Sequence, residues 1–115
     1  MTTPNGLRVL VTGGSGFLGR HLVAALVADN TVFSLQRRTV PSAARAPGVE
    51  YVYHDLVGLA ASDLPTGIDL VIHQAVLIDD PGGPNDPGPM DLLQANVVAT
   101  LQLLTVAREL GIPLC

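Results

Sequence analysis

Residues 8–19 read Arg-Val-Leu-Val-Thr-Gly-Gly-Ser-Gly-Phe-Leu-Gly. The apolar run 9–11 is rich in β-branched residues, a pattern typical of a strand that is buried on both faces. Glycines then interrupt the run, and an apolar helical period begins at Phe17. A strand that passes through a glycine turn into a helix indicates a site for a dinucleotide pyrophosphate, because the free N–H groups and the dipole of the helix N-terminus stabilise negative charge.

The glycine spacing in this segment fits two patterns. Gly14, Gly16 and Gly19 fit G-x-G-x-x-G, whereas Gly13, Gly16 and Gly19 fit T-G-x-x-G-x-x-G with Thr12 in front. A Cβ at Gly16 would obstruct the phosphates, and a Cβ at Gly19 would push the helix away from the strand. The alternative is an ordinary glycine-rich connection between a strand and a helix, without a ligand.

Composition narrows the class of protein. A chain of 115 residues that is 48% hydrophobic suits a single domain with its own core. Its one cysteine, Cys115, forms no internal disulfide, which favours a reducing, cytoplasmic compartment. A net charge of −4 without any lysine argues against nucleic-acid binding, and the first residues show no secretory signal. The uncharged run 92–107 is interrupted by polar residues, so we predict no membrane span.

Segments with strand and helix character alternate along the chain. We predict strands at 9–11, 31–36, 49–53 and 68–73, helices at 17–28 and 90–110, and the beginning of a fifth strand at 112–115. Right-handed crossovers would arrange these strands in a parallel sheet of order 3-2-1-4 with helices on both faces. Residues 1–115 are thus predicted to be a single Rossmann-like α/β domain, truncated at its fifth strand. Asn30 is predicted to end the first helix as a left-handed cap.

The residues after the second predicted strand bear on the choice of cofactor. In a dinucleotide fold, an acidic residue roughly 20 residues beyond the glycines binds the adenosine ribose, whereas an arginine there accommodates a 2′-phosphate. This position offers Gln36, Arg37 and Arg38, and no acid follows until Glu50. We therefore predict NADP(H) as the cofactor, with NAD(H) as the alternative. The two arginines could equally be a solvated pair in a loop.

The helix predicted from Met90 to Leu110 is apolar on more than one face. One face would cover the sheet, and the other needs a partner, because a large exposed apolar patch is unusual on a monomer. We expect a homodimer formed through this helix, or contact of the helix with sequence outside this chain.

Four separated motifs resemble the extended branch of the short-chain dehydrogenase/reductase family, from about Leu7 to Leu114. Residues 12–19 resemble its glycine motif, and His-Asp-Leu at 54–56 resembles the Gly-Asp-Leu that follows its third strand. Asp-x-Val-x-His-x-Ala at 69–75 is similar to its fourth-strand motif. Asn-Val-Val-Ala-Thr at 96–100 resembles its Asn-Val-x-Gly-Thr helix segment.

The resemblance implies a set of site residues. The implied cofactor contacts are Gly13, Gly14, Ser15, Gly16, Phe17, Leu18, Gly19, Leu56, Gln74, Ala75 and Val76. It further implies that Asp55 contacts the adenine amino group and that Asn96 supports the geometry near the nicotinamide. The departures from the family pattern are His54, Gln74, Val76 and Ala99.

Alternative roles remain open for three polar residues. Asp55 could act as the N-cap of the turn 56–64. Asn96 could bond a neighbouring backbone carbonyl within its helix. We predict a structural role for His73, because buried polar groups at strand ends normally have partners. No metal site is predicted.

The resemblance implies an NAD(P)-dependent oxidoreductase, epimerase or dehydratase that transfers hydride at a carbon bearing oxygen, with an unidentified small-molecule substrate. The family's catalytic Ser or Thr and Tyr-x-x-x-Lys pair lie beyond the fifth strand, and this chain has no lysine. No catalytic residue is therefore assigned to it. Two hypotheses follow: the cofactor-binding portion of such an enzyme, or a stand-alone dinucleotide-binding sensor or scaffold without catalysis.

Overall fold

The computed structural model describes residues 5–77 and 81–115. Its strands are β1 (Arg8–Thr12), β2 (Thr31–Gln36), β3 (Glu50–Tyr53) and β4 (Leu70–His73). The helix α1 covers Phe17–Leu26, and the helix α2 covers Pro89–Leu110. The four strands form one parallel sheet of order β3-β2-β1-β4, as predicted.

The central strand β1 separates two hydrophobic layers. Val9 and Val11 pack with Val23 and Leu26 of α1 on one face of the sheet. Leu10 packs with apolar residues of α2 on the opposite face. Because successive side chains of a strand point to opposite faces, the apolar run 9–11 supports both layers. This confirms the prediction of helices on both faces.

Several boundaries differ from the predicted ones. The first helix ends at Leu26, and Asn30 does not have the left-handed backbone predicted for it, since only glycines among the described residues have a positive φ. Instead, the Asn30 side chain accepts a hydrogen bond from the Leu7 N–H and donates one to the Leu26 carbonyl, at 3.0 Å each. The fourth strand begins at Leu70, and Asp69 just before it accepts the Arg8 N–H with its carboxylate. The third strand begins at Glu50, one residue later than predicted.

The last residues of the chain pair with β4. Leu114 forms a parallel bridge with Val71, whose N–H donates to the Pro113 carbonyl at 3.0 Å. The N–H of Cys115 donates to the Val71 carbonyl at 2.8 Å. The segment predicted to begin a fifth strand therefore lies parallel to β4, on its free side.

The helix α2 covers the sheet with one face only. Ala99, Leu103, Val106 and Ala107 are buried, and Leu103 is 0% exposed. By length and composition alone, α2 could span a membrane, but a core helix that packs on a sheet passes the same test. The opposite face exposes large apolar side chains. These include Met90, Leu93, Val97, Leu101 and Leu104, and α2 also exposes Val98 and, at its end, Leu110.

We expect the 115-residue chain to self-associate through this exposed face of α2, because burying it removes apolar surface from water. Light scattering over a concentration series should show mass increasing with concentration in the wild type and less increase in Leu101→Ser. A matched control is Leu110→Ser, because Leu110 lies beside Leu64 and Ile112 at the other end of the helix. A wild-type chain that stays monomeric at high concentration would contradict the expectation.

Candidate functional site

A cleft of about 1470 Å³ lies at the carboxyl ends of the strands. Its walls are the glycine turn after β1, the segments after β2, β3 and β4, and the first half of α2. The predicted site residues that line it are Gly13, Ser15, Gly16, Phe17, Leu18, Gly19, Arg37, Arg38, Asp55, Leu56, Gln74, Ala75 and Val76. Two predicted residues, Gly14 and Asn96, lie outside its lining. Four separate segments of sequence thus meet in one cleft.

The glycine turn forms a cradle in which side chains have no room. Gly13 has a φ of 71°, and its carbonyl accepts the Gly16 N–H at 3.1 Å. A Cβ on Gly19 would lie 1.9 Å from that carbonyl oxygen, inside any permitted contact. Gly16 then serves as the N-cap of α1 without a side-chain cap, so the first N–H groups of the helix face the cleft unpaired by side chains. This cradle suits a pyrophosphate, which needs close approach to backbone N–H groups.

Two apolar residues at the start of α1 are exposed at the cleft. Phe17 is 73% exposed and Leu18 is 69% exposed. Leu18 therefore lies outside the buried face of α1, which begins with Gly19 and Val23. Both exposed side chains are available to cover a ligand.

Gln36 joins the glycine turn to the end of β2. Its Oε1 accepts a hydrogen bond from the Ser15 hydroxyl at 2.9 Å, and its Nε2 donates to Ser34 Oγ. Ser34 is fully buried, so this chain of hydrogen bonds anchors the turn on the core. The sequence placed Gln36 next to the arginines but carried no signal for this bridging role.

Arg37 and Arg38 are exposed and line the cleft beyond the end of β2. Neither guanidinium makes a hydrogen bond or an ion pair with any residue in the described ranges. The loop that follows is held in place by the sheet, because the hydroxyls of Tyr51 and Tyr53 accept the N–H groups of Ala46 and Val40. Two uncommitted positive charges therefore stand at a fixed end of the cleft.

Asp55 follows β3 and lines the same end of the cleft. Its Oδ1 accepts the Val57 N–H at 3.0 Å, so the residue caps a turn. The following segment contains only a short 3₁₀ turn, Ala61–Asp63, rather than a helix that Asp55 could cap. One carboxylate oxygen thus stabilises the turn, and the other is left for a donor such as an adenine amino group.

A hydrogen-bond network fixes His73 at the end of β4. Thr12 Oγ1 accepts the N–H groups of Gln74 and Ala75 at 3.0 and 3.1 Å, so its proton is left to donate to His73 Nδ1. His73 Nε2 then donates to Thr100 Oγ1 at 2.8 Å. Both ring nitrogens are therefore used, which confirms the structural role predicted for His73. Thr12 and Thr100 are the partners that the sequence did not reveal.

The network continues into the loop after β4. Thr100 donates its hydroxyl proton to the Asn96 carbonyl, which lies in a π-helical turn of α2, Gln94–Val98. The Asn96 side chain accepts the Leu77 N–H and donates to the Leu77 carbonyl, both at 2.7 Å. Asn96 thus bonds a distant loop rather than a carbonyl of its own helix. It shapes the wall of the cleft through Leu77, without lining the cleft itself.

Gln74 and Val76 lie in the same loop. Gln74 Oε1 is buried and has no hydrogen-bond partner among the residues that the structure describes. Val76 is 65% exposed at the cleft. Buried acceptors without a partner are rare in proteins, and each one calls for an explanation such as strain, a bound water or ion, or a catalytic role.

Burial lowers the pKa of His73 below its ordinary value of 6.5. The unfolded chain therefore binds a proton more readily than the folded chain, and stability should be lost as the pH falls below 6.5. Urea titrations at pH 7.5 and pH 5.5 should show this loss in the wild type and a smaller one in His73→Gln. His21→Gln, which changes an exposed histidine, should behave like the wild type. If the His73→Gln chain lost as much stability as the wild type between pH 7.5 and pH 5.5, His73 would not be the group responsible for the loss.

Residues 9–114 match the NAD dependent epimerase/dehydratase family. UDP-glucuronic acid decarboxylase 4 from Arabidopsis thaliana is 33% identical over 114 residues, which cover 91% of this chain and 24% of the relative. UDP-glucuronic acid decarboxylase 1 from Danio rerio is 29% identical over 113 residues, covering 90% of this chain and 25% of the relative. The chain thus spans about a quarter of the length of these relatives.

Solved structures share the fold. One of them is UDP-N-acetylglucosamine 4-epimerase from Methanobrevibacter ruminantium M1 in complex with UDP-N-acetylmuramic acid, which is 27% identical to this chain with a TM-score of 0.77. The match covers 95% of this chain and 36% of the epimerase chain. Another is MoeE5 in complex with UDP-glucuronic acid and NAD, which is 31% identical with a TM-score of 0.73. The match covers 91% of this chain and 34% of the MoeE5 chain. Since the family match extends over nearly all of the sequence and the fold agrees, the chain belongs to the NAD dependent epimerase/dehydratase family.

Proposed function

We propose that this chain is the cofactor-binding portion of an enzyme of its family, and that it binds a nicotinamide dinucleotide in the cleft. The observation that carries the proposal is the glycine cradle, in which a Cβ at Gly19 would lie 1.9 Å from the Gly13 oxygen. Without a Cβ at Gly19, the start of α1 packs against the turn, which places the uncapped N–H groups of the helix N-terminus at the cleft, where a pyrophosphate binds. The solved structure of MoeE5, which is 31% identical to this chain, is a complex with UDP-glucuronic acid and NAD.

The sheet order supports one orientation of the dinucleotide. In doubly wound sheets the dinucleotide lies across the point where the strand order reverses, here between β1 and β4. The adenosine half then lies over β2 and β3, near Arg37, Arg38 and Asp55. The nicotinamide half lies over β4, near Ala75 and the loop that Asn96 holds. In this orientation, Asp55 accepts a hydrogen bond from the adenine amino group.

We propose that NADP(H) binds more tightly than NAD(H). The 2′-phosphate lies on the adenosine ribose, so in this orientation it faces the end of β2, where Arg37 and Arg38 are free of protein partners among the described residues. A guanidinium binds a phosphate through charge-assisted hydrogen bonds worth roughly 1.5–3 kcal/mol. Among the residues that the structure describes, no carboxylate lines the cleft at the end of β2 itself to bind the ribose hydroxyls in NAD(H) instead.

Calorimetric titration of NADPH and NADH tests this preference. The wild type should bind NADPH about tenfold more tightly or better, and Arg37→Ala or Arg38→Ala should weaken NADPH binding with little effect on NADH. Arg108→Ala removes an exposed arginine at the far end of α2 and should change neither affinity. Equal affinities of the wild type for the two nucleotides would rule out the preference for NADP(H).

The substrate of the whole enzyme is proposed from the names of its relatives. The decarboxylases and epimerases that resemble this chain are named for UDP-sugars, so we propose a nucleotide sugar as the substrate class. The alternative is a stand-alone dinucleotide-binding module without catalysis, which would lack the Tyr-x-x-x-Lys pair that the family carries beyond the fifth strand. A downstream Tyr-x-x-x-Lys motif in the same reading frame would support the enzyme.

A further inference from the structure

Gln74 lies where the connections that follow β1 and β4 touch each other. Its backbone N–H donates to the Thr12 carbonyl at 3.1 Å and to Thr12 Oγ1 at 3.0 Å. A Cβ on Gly13 would lie 2.7 Å from the carbonyl carbon of Gln74 and 2.7 Å from the Ala75 nitrogen, so the two connections are in direct contact. The backbone of Gln74 is therefore fixed beside the glycine turn, on the side of β1 that faces away from β2.

The side chain of Gln74 is not satisfied by this arrangement. Gln74 is half-buried and lines the cleft. Within residues 5–77 and 81–115, its Oε1 is the one buried side-chain oxygen or nitrogen without a hydrogen-bond partner. An amide oxygen only accepts hydrogen bonds, so the partner that it needs is a donor. Because a buried acceptor without a donor costs free energy, a ligand that supplies the donor recovers this cost on binding.

The donor that a dinucleotide would bring to this position follows from the order of its parts. In the proposed orientation the pyrophosphate lies at the glycine turn, and the ribose of the nicotinamide half is bonded directly to it on the β4 side. Since Gln74 contacts the glycine turn, this ribose is closer to Gln74 than the nicotinamide ring is. The hydroxyl groups of the ribose are donors, which is the chemistry that Oε1 needs.

We propose that Gln74 Oε1 accepts a hydrogen bond from a hydroxyl group of the ribose that carries the nicotinamide. The amide reaches the ribose by turning about its terminal side-chain torsion, which has a broad energy profile. Gln74 thereby gives the chain a contact that distinguishes a dinucleotide from a mononucleotide. This inference rests on the proposed dinucleotide site.

Calorimetric titration of the 115-residue chain with ADP and with ADP-ribose tests the assignment. Both ligands contain adenosine and a pyrophosphate, but only ADP-ribose contains the second ribose. Gln74→Met, which removes the acceptor, should weaken ADP-ribose binding about three- to tenfold, the scale of one neutral hydrogen bond, and should leave ADP binding unchanged. Gln94→Met is the matched control, because Gln94 lines the same cleft but is exposed. It should change neither affinity.

A parallel titration with NADH separates the ribose from the nicotinamide. Gln74→Met should weaken NADH and ADP-ribose binding by the same factor. A loss for NADH alone would assign the amide to the nicotinamide, and equal losses for ADP and ADP-ribose would assign it to the glycine turn. Either result, or no loss at all, would overturn the inference while the dinucleotide site stands. If the wild type binds none of the three ligands, the proposed dinucleotide site fails, and the inference fails with it.

Urea unfolding without nucleotide measures the cost of the unpaired oxygen in the chain itself. Methionine is close to glutamine in size and has no amide, so Gln74→Met should unfold at a higher urea concentration than the wild type. Gln94→Met should unfold at the same urea concentration as the wild type. A midpoint for Gln74→Met at or below that of the wild type would show that the Gln74 amide is already satisfied within the protein, and would overturn the inference.

Discussion

Gly19→Ala should destabilise the chain by about 3 kcal/mol or more and abolish nucleotide binding. The added Cβ would lie 1.9 Å from the Gly13 oxygen and 2.8 Å from the Gly14 Cα, both of them backbone atoms. The Gly13 carbonyl has no freedom to retreat, because it accepts the Gly16 N–H and so holds the turn closed. Helix α1 would have to move away from β1, which separates Val23 and Leu26 from the core.

The matched control for this substitution is Gly88→Ala. A Cβ on Gly88 would lie 3.8 Å from Asp91, an ordinary contact, and its φ is −72°. Gly88 is the N-cap of α2, where replacing glycine by alanine should cost at most about 1 kcal/mol. Urea unfolding of the two variants measures the difference. A Gly19→Ala chain as stable as Gly88→Ala would show that the turn is not packed as described.

The 115-residue chain should bind a dinucleotide and show no turnover above background. General acid catalysis contributes about 10²–10⁴-fold to such reactions, and the family's Tyr-x-x-x-Lys pair is absent from these 115 residues, which contain no lysine. His73 is not a substitute, because its Nδ1 and Nε2 are occupied by Thr12 and Thr100. The resemblance therefore implies a binding domain that lacks its proton donor.

Turnover is measured in an oxidation assay with NADP⁺ or NAD⁺ and a panel of alcohols, aldehydes and nucleotide sugars. The expected result is no change in absorbance at 340 nm relative to the uncatalysed control, with nucleotide binding retained in the same preparation. Turnover that disappears in His73→Ala would contradict the account and would reveal catalysis that the family pattern does not include. Turnover that persists in His73→Ala would contradict it equally and would place the proton donor elsewhere.

The sequence predicted the fold because its signals there are local. The β-branched run 9–11, the glycines that follow and the apolar period of α1 depend only on neighbouring residues, and the strand order follows from right-handed crossovers. The motifs after β2, β3 and β4 also predicted which segments line the cleft, since the carboxyl ends of parallel strands meet at one edge of the sheet.

The parts that sequence analysis missed depend on contacts across long separations. Asparagine is a residue type that often ends a helix in the left-handed conformation, but the Asn30 side chain instead forms hydrogen bonds with Leu7 and Leu26. The partners of His73 are residues 12 and 100, and those of Asn96 lie in the loop at Leu77. No periodicity or spacing rule connects such residues. The π-helical turn Gln94–Val98 likewise has no local signal distinct from an ordinary apolar helix.

The central claim is that the glycine turn of this chain binds a nicotinamide dinucleotide. The most direct test is a fluorescence titration of the wild-type chain with NADPH, beside Gly16→Val, with circular dichroism recorded for both. We expect saturable binding by the wild type and its loss in a Gly16→Val chain that remains folded, because the valine side chain fills the space where the pyrophosphate approaches the backbone. A folded wild-type chain that binds neither NADPH nor NADH, or a Gly16→Val chain that binds as tightly as the wild type, would contradict it.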